Sequence, residues 1–143
     1  MLPPMKALSF RQPFADAVVA GLKTIDFRGH STRHRGPLAI HASATYGPAE
    51  RAAFDDLRQR RLRLPAPDSA RRGAIIGVVE LTGCRPAAAA DRKRSLADLP
   101  EQGAFAYELA GARPLPTPLP CKGHTYMFEV DDSLLEGLLE AAV

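Results

Sequence analysis

Tryptophan is absent from the 143 residues, and cysteine occurs only as Cys84 and Cys121, 37 positions apart and with no CxxC partner. That usage predicts two reduced, partly buried thiols and not a disulfide framework. Nothing approaches the run of about 18 apolar residues that a membrane-spanning helix needs. In Met1-Leu2-Pro3-Pro4-Met5-Lys6 prolines stand where a signal peptide would carry its apolar core, so the chain is expected to remain in the cytoplasm. There is no internal repeat. Apolar residues at 45% and charged residues at 24% lie near globular averages, which excludes a disordered or fibrous chain. The length fits one domain, residues 1–143, that buries its own core without metal or disulfide staples.

Acidic residues are scarce in the first half. Residues 1–72 carry 13 Lys/Arg against 6 Asp/Glu, and residues 73–143 carry 6 against 10. A basic face of that kind suits an anionic partner such as nucleic acid and says nothing about fold. Alanine occurs 24 times and arginine supplies 15 of the 19 basic residues, a bias that carries no functional weight alone.

Periodicity places short strands between helices. Residues 6–11 alternate as a strand, and Pro13, Asp16 and Gly21 mark a helix over about 13–20. From Thr24 the period becomes two, with Thr24, Asp26 and Arg28 on one face and Ile25 and Phe27 on the other. Gly29–Gly36 reads as an exposed basic loop. Alternation returns over 37–43, with His41 and Ser43 on the polar side. Pro48 opens an arginine-rich amphipathic helix that Pro65 and Pro67 end. Residues 74–84 are apolar on both faces, as in a central strand, and Glu80 among them needs a partner if buried. A brief helix over 92–99, strands over 105–109 and 125–130, a proline-rich loop over 114–120 and a last helix capped by Ser133, with Leu134, Leu135, Leu138 and Leu139 on its apolar stripe, complete the pattern. Five or six strands among three helices predict an α+β domain with a small mixed or antiparallel β-barrel.

The densest polar constellation is Gly21-Leu22-Lys23-Thr24-Ile25-Asp26-Phe27-Arg28. A turn lysine followed by a strand with Thr24, Asp26 and Arg28 on one face gathers a cation, a carboxylate and a guanidinium that can read a base or a phosphate. The bland alternative is a surface ion pair worth about 0–1 kcal/mol. His30 and His34 have i, i+4 spacing, but they sit in a loop without further ligands, and no metal or cofactor is expected. The arginines at 58, 60, 61 and 63 either widen a phosphate surface or form a solvated helix face.

Four elements together resemble the ASCH domain, the activating-signal-cointegrator homology module: Leu8-Ser9-Phe10-Arg11-Gln12-Pro13-Phe14, Gly21-x-Lys23-x-x-Asp26-x-Arg28, Arg35-Gly36-Pro37-Leu38-Ala39-Ile40-His41-Ala42-Ser43 and Pro118-Leu119-Pro120-Cys121-Lys122-Gly123. They occur in the family's order over about residues 6–130. The resemblance implies a PUA-like fold, a small barrel with flanking helices, and binding of RNA or DNA, or handling of a modified base, in a cleft lined by the GxKxxExR signature. Asp26 stands where glutamate is usual, which shortens the carboxylate's reach by about 1.5 Å. On this reading Lys23 and Arg28 meet phosphate or a base acceptor, and Asp26 accepts from an amino group. Arg11 and Gln12 lie before a helix N-terminus, where an anion is favoured. Arg35, His41, Ser43 and Lys122 extend the wall, and Gly123 lets the backbone approach.

Enzymatic and adaptor readings accompany that one. Proteins similar to this family hydrolyse acylated cytidine with a lysine-activated threonine and a glutamate; the lysine falls on Lys23 and the threonine on Asp26, which has no hydroxyl, and Thr24 is at a different offset. A lysine beside a carboxylate is expected to keep its ammonium, making a poor base. A ribonuclease would use His41 with Lys23 or Arg28. A protein partner is the third class, because family members occur beside transcription coactivators; it predicts an exposed apolar patch. An aromatic cage, with Tyr107 or Tyr126, is not expected.

Overall fold

A computed structural model describes residues 5–141. Met1–Pro4 of the signal-peptide reading, and the side chains of Leu135 and Leu139 in the expected stripe of the last helix, lie outside the described residues. In chain order the elements are β1 (Lys6–Phe10), α1 (Phe14–Val19), β2 (Ile25–Arg28), β3 (Gly36–Ala42), α2 (Pro48–Gln59), β4 (Ala74–Pro86), α3 (Arg92–Ser95), β5 (Phe105–Pro120), β6 (Phe128–Glu129) and α4 (Asp132–Ala141). The class is α+β, as expected, but the barrel does not close. One six-stranded sheet runs in the order β2-β5-β4-β3-β1-β6 and ends on two short strands. β1 and β3 are parallel and the remaining pairs antiparallel.

Both faces of the curled sheet are covered. Leu8, Phe10, Leu38, Ile40 and Ile76 pack on one side with Val18 of α1. On the other side Ala7, Ala39 and Ile75 pack with Leu115 and with Leu138 of α4. The second face of β3 was expected to be polar and wet; instead His41 is buried on it. Glu80 is exposed and needs no buried partner.

The proline-rich run was expected to be a loop, yet β5 continues through it to Pro120. Pro114, Pro116, Pro118 and Pro120 fall at every second position. The strand bulges away from β4 there, with Pro114 opposite Gly77 and Leu119 opposite Ile75, so residues 115–118 fall outside the register, and the prolines occupy a stretch of β5 that β2 no longer flanks. The strand expected over 125–130 shrinks to β6, which pairs only with Lys6 and Ala7. α2 stops at Gln59, before Pro65, because the chain turns through Arg61 at φ 66°. α3 is cut to four residues by Leu96 at φ 59°. α4 begins at Asp132, so Ser133 lies inside its first turn and not at the cap. Cys84 and Cys121 are free thiols at opposite ends of β4's pairing with β5, Cys84 opposite Tyr107 and Cys121 bonded to Gly73.

Candidate nucleic-acid interface

Because the sheet curls without closing, β2 at one edge comes to face the end of β1, although β5, β4 and β3 lie between them in the sheet. β6 covers only the first two residues of β1, leaving Ser9 and Phe10 without a strand on their outer side. Arg28 crosses this seam. Its Nη2 donates to the Ser9 carbonyl at 2.8 Å, its Nε donates to Asp26 Oδ2 at 2.5 Å, and its guanidinium lies 4.7 Å from the Phe10 ring centroid. Nη1 has no acceptor among the described residues.

A cleft of about 340 Å³ opens at the seam, lined by the Ser9–Arg11 end of β1, Phe14, Lys23, the Asp26–Arg28 stretch of β2 and the Ala97–Pro100 loop. Lys23 is only 3% exposed. Its Nζ donates to the Ser95 carbonyl, lies 3.4 Å from Asp26 Oδ1 and stands over the Phe14 ring at 5.4 Å. Burial lowers the Lys23 pKa from the ordinary lysine value, and Asp26 opposes the shift without reversing it. This corrects the expectation that the neighbouring carboxylate keeps the ammonium favoured: removal from water is the larger effect. Asp26 thus joins a buried ammonium to a half-buried guanidinium.

A second cleft, of about 390 Å³, is lined by Ser9, His41, Ser43 and the Cys121–Thr125 loop. Ser9 lines both. Parallel register sets Ser9 opposite His41, and their side chains bond at 3.0 Å between Oγ and Nδ1. His41 Nε2 lies 2.8 Å from the Cys121 carbonyl, which can only accept; Nε2 therefore carries the proton and Nδ1 accepts from Ser9. Burial lowers the His41 pKa, so the ring is neutral at pH 7. A Cβ on Gly123 would stand 2.6 Å from His41 Cε1 and 2.8 Å from Ser9 Oγ, so the close seat of this loop requires glycine.

The residues singled out in the sequence divide between these places. Lys23, Asp26, Arg28 and Arg11 meet at the seam cleft, where Arg11 is exposed while bonded to Glu50 at 2.7 Å. His41, Ser43 and Lys122 line the second cleft. Gln12 faces neither: it is fully buried, donating to the Arg71 carbonyl at 2.7 Å and accepting from the Asp16 N–H at 3.0 Å. Its amide is used by the backbone at the start of α1 and leaves nothing for an anion. Arg35 lines neither cleft and folds back on the carbonyls of Thr32 and His34. Thr24 precedes β2 and accepts from Arg94, away from the seam. The Ala97–Pro100 wall was expected to be largely the end of a helix over 92–99; the chain leaves the helix at Leu96, and these residues line the cleft as a loop instead. Phe10 and Phe14 were legible as apolar but not as partners of the cations.

The family profile for the ASCH domain matches residues 8–117. The chain belongs to the ASCH domain family. Human "Activating signal cointegrator 1" is 25% identical over 135 residues, 91% of this chain and 23% of that protein, so the chain spans about a quarter of the length of that relative. The crystal structure of the ASCH protein of Zymomonas mobilis is similar in fold, with a TM-score of 0.62 at 15% identity over 96% of this chain and 94% of that one. A point mutant of the same bacterial protein gives 0.61 at 16% identity, covering 96% and 98%. In this ASCH domain the signature GxKxxExR is represented by Gly21, Lys23, Asp26 and Arg28, and all but Gly21 line the seam cleft. No described helix is long and apolar enough to cross a membrane.

Proposed function

We propose that this ASCH domain binds single-stranded nucleic acid, RNA in the first instance, by taking a nucleobase into the seam cleft. The observation that carries the reading is the pairing, in one concave recess, of a carboxylate that accepts with a guanidinium that still has a donor to offer. Asp26 is suited to an exocyclic amino group and Arg28 Nη1 to a ring or carbonyl acceptor. Phe10, Phe14, Phe27 and Pro100 supply apolar walls for the faces of a base. Arg11, exposed at the rim, is placed for a phosphate. Lys23 has a different part in this reading. Buried beneath Asp26, it orients the carboxylate.

Fluorescence anisotropy with labelled single-stranded RNA, single-stranded DNA and duplexes across a salt series tests this. The expected result is tightest binding to single-stranded RNA, with log K falling linearly against log salt by about 0.7 per phosphate neutralised. Arg28→Ala is expected to weaken binding at every salt concentration. Absence of binding by the parent protein at low salt overturns the proposal.

The lowered pKa of Lys23 favours a second reading, in which the cleft hydrolyses RNA or a modified nucleoside and Lys23 takes up a proton. It predicts product with the parent protein and none with Lys23→Ala. Unchanged substrate with both removes it.

A further inference from the structure

Tyr126 is the most exposed of the large apolar side chains among the described residues, at 64%. A contact on its side holds it in place: the His30 ring meets it at 5.2 Å between centroids and 72° between planes. His30 is itself fixed, because its carbonyl accepts from Tyr107 Oη at 2.7 Å. Two loops are joined here. His30 lies two residues beyond Arg28, on the loop that leaves the seam cleft, and Tyr126 directly follows Thr125, the last lining residue of the second cleft. That cleft has no carboxylate in its lining; its lysine, Lys122, and its second histidine, His124, are exposed, while His41 is engaged on both nitrogens. Ser9 is common to both recesses, so the two adjoin there.

We propose that Tyr126 and the Cys121–Thr125 loop form a second nucleotide subsite, in which a base of single-stranded RNA stacks on the tyrosine ring and the adjoining phosphate is held at Lys122. The proposal rests on the nucleic-acid reading of the seam cleft and adds to it a direction for the strand, over Ser9 toward Tyr126. An exposed aromatic near a cation that has no partner among the described residues is the combination that single strands use without sequence preference, since every base offers a face to stack and every link offers a phosphate. A duplex keeps its bases stacked on one another and gains nothing from the shelf.

Anisotropy of a labelled RNA decamer with the full chain and three variants tests this. Tyr126→Leu, apolar and similar in bulk but without a π face, is expected to weaken binding about tenfold, with the salt dependence unchanged. Tyr126→Phe is expected to bind within about twofold of the parent, because stacking needs the ring and not the hydroxyl. Lys122→Ala is expected to lower the salt slope by about 0.7, one phosphate contact on a single strand. Thermal melts of each variant keep folding apart from binding. If the parent binds the decamer and Arg28→Ala weakens it while Tyr126→Leu matches the parent, the second subsite is overturned and the seam-cleft reading stands. If the parent does not bind at all, both fall.

Discussion

An ammonium as poorly hydrated as that of Lys23 is tolerable only because the Ser95 carbonyl and the Asp26 carboxylate replace the water it has lost. Asp26 has two cations to serve, one on each oxygen, and each oxygen keeps a lone pair for a further donor. Asp26→Ala therefore leaves a buried charge with one neutral acceptor, and urea unfolding is expected to show a loss of about 3 kcal/mol or more. Lys23→Met on the Asp26→Ala background removes the stranded charge and is expected to recover most of that loss. A double-mutant cycle with no coupling between the two positions would show that they do not act as a pair. The residues of this site were readable because the glycine stop and the switch to period two put Lys23, Asp26 and Arg28 in order. Their roles were not. Spacing says that a lysine and an aspartate are neighbours; it says nothing of how much water the fold removes from the lysine, and that decides the direction of its pKa.

At the scale of elements, the loop between β4 and α3 is tied down by one carboxylate. Asp91 accepts two bonds from Arg85, at 2.8 and 2.7 Å, and one from the Ala88 N–H at 2.8 Å. The Arg85 bonds first, and the backbone bond second, lower the Asp91 pKa from 3.8 to about 2. A carboxylate whose folded-state pKa lies below its unfolded value stabilises the protein above the unfolded pKa, and that stability is lost as pH falls through the folded one. Denaturation midpoints measured between pH 4.5 and about 2 are thus expected to fall less steeply for Asp91→Asn than for the parent; equal slopes would remove Asp91 from the acid response. The strands β1 to β4 were legible because alternation and branched side chains register burial directly. β5 was half missed. Proline is normally a loop signal, and here it falls where β5 bulges away from β4 and lacks β2 on its other side, so the strand loses little from the missing N–H donors. β6 was overdrawn for the opposite reason, since Met127 packs into the core on one face of the sheet and Phe128 and Val130 into the core on the other, with only two residues in strand pairing.

For the whole molecule, the departure from a closed barrel is the feature that matters. Composition and periodicity could count strands but could not say whether the first and last edges meet, because closure depends on strand lengths and β6 has only two residues. Across the gap the contacts are side-chain contacts: Arg28 to Ser9, and Arg28 over Phe10. Hydrogen exchange should report this division. In Arg28→Ala the amides of β2 and of the facing part of β5 are expected to exchange faster, while those of β3 and β4, whose ladders are intact on both sides, keep the parent's protection. Uniform loss of protection would mean that the guanidinium supports the entire fold and not its margin alone.

A wall held shut by one arginine behaves differently from one laced by backbone bonds. Among the described residues Arg28 spans β2 and β1 by its bond to Ser9, and the His30–Tyr126 ring contact joins the loops just beyond. Parting this margin breaks no β-ladder bond, since β2 and β1 share none.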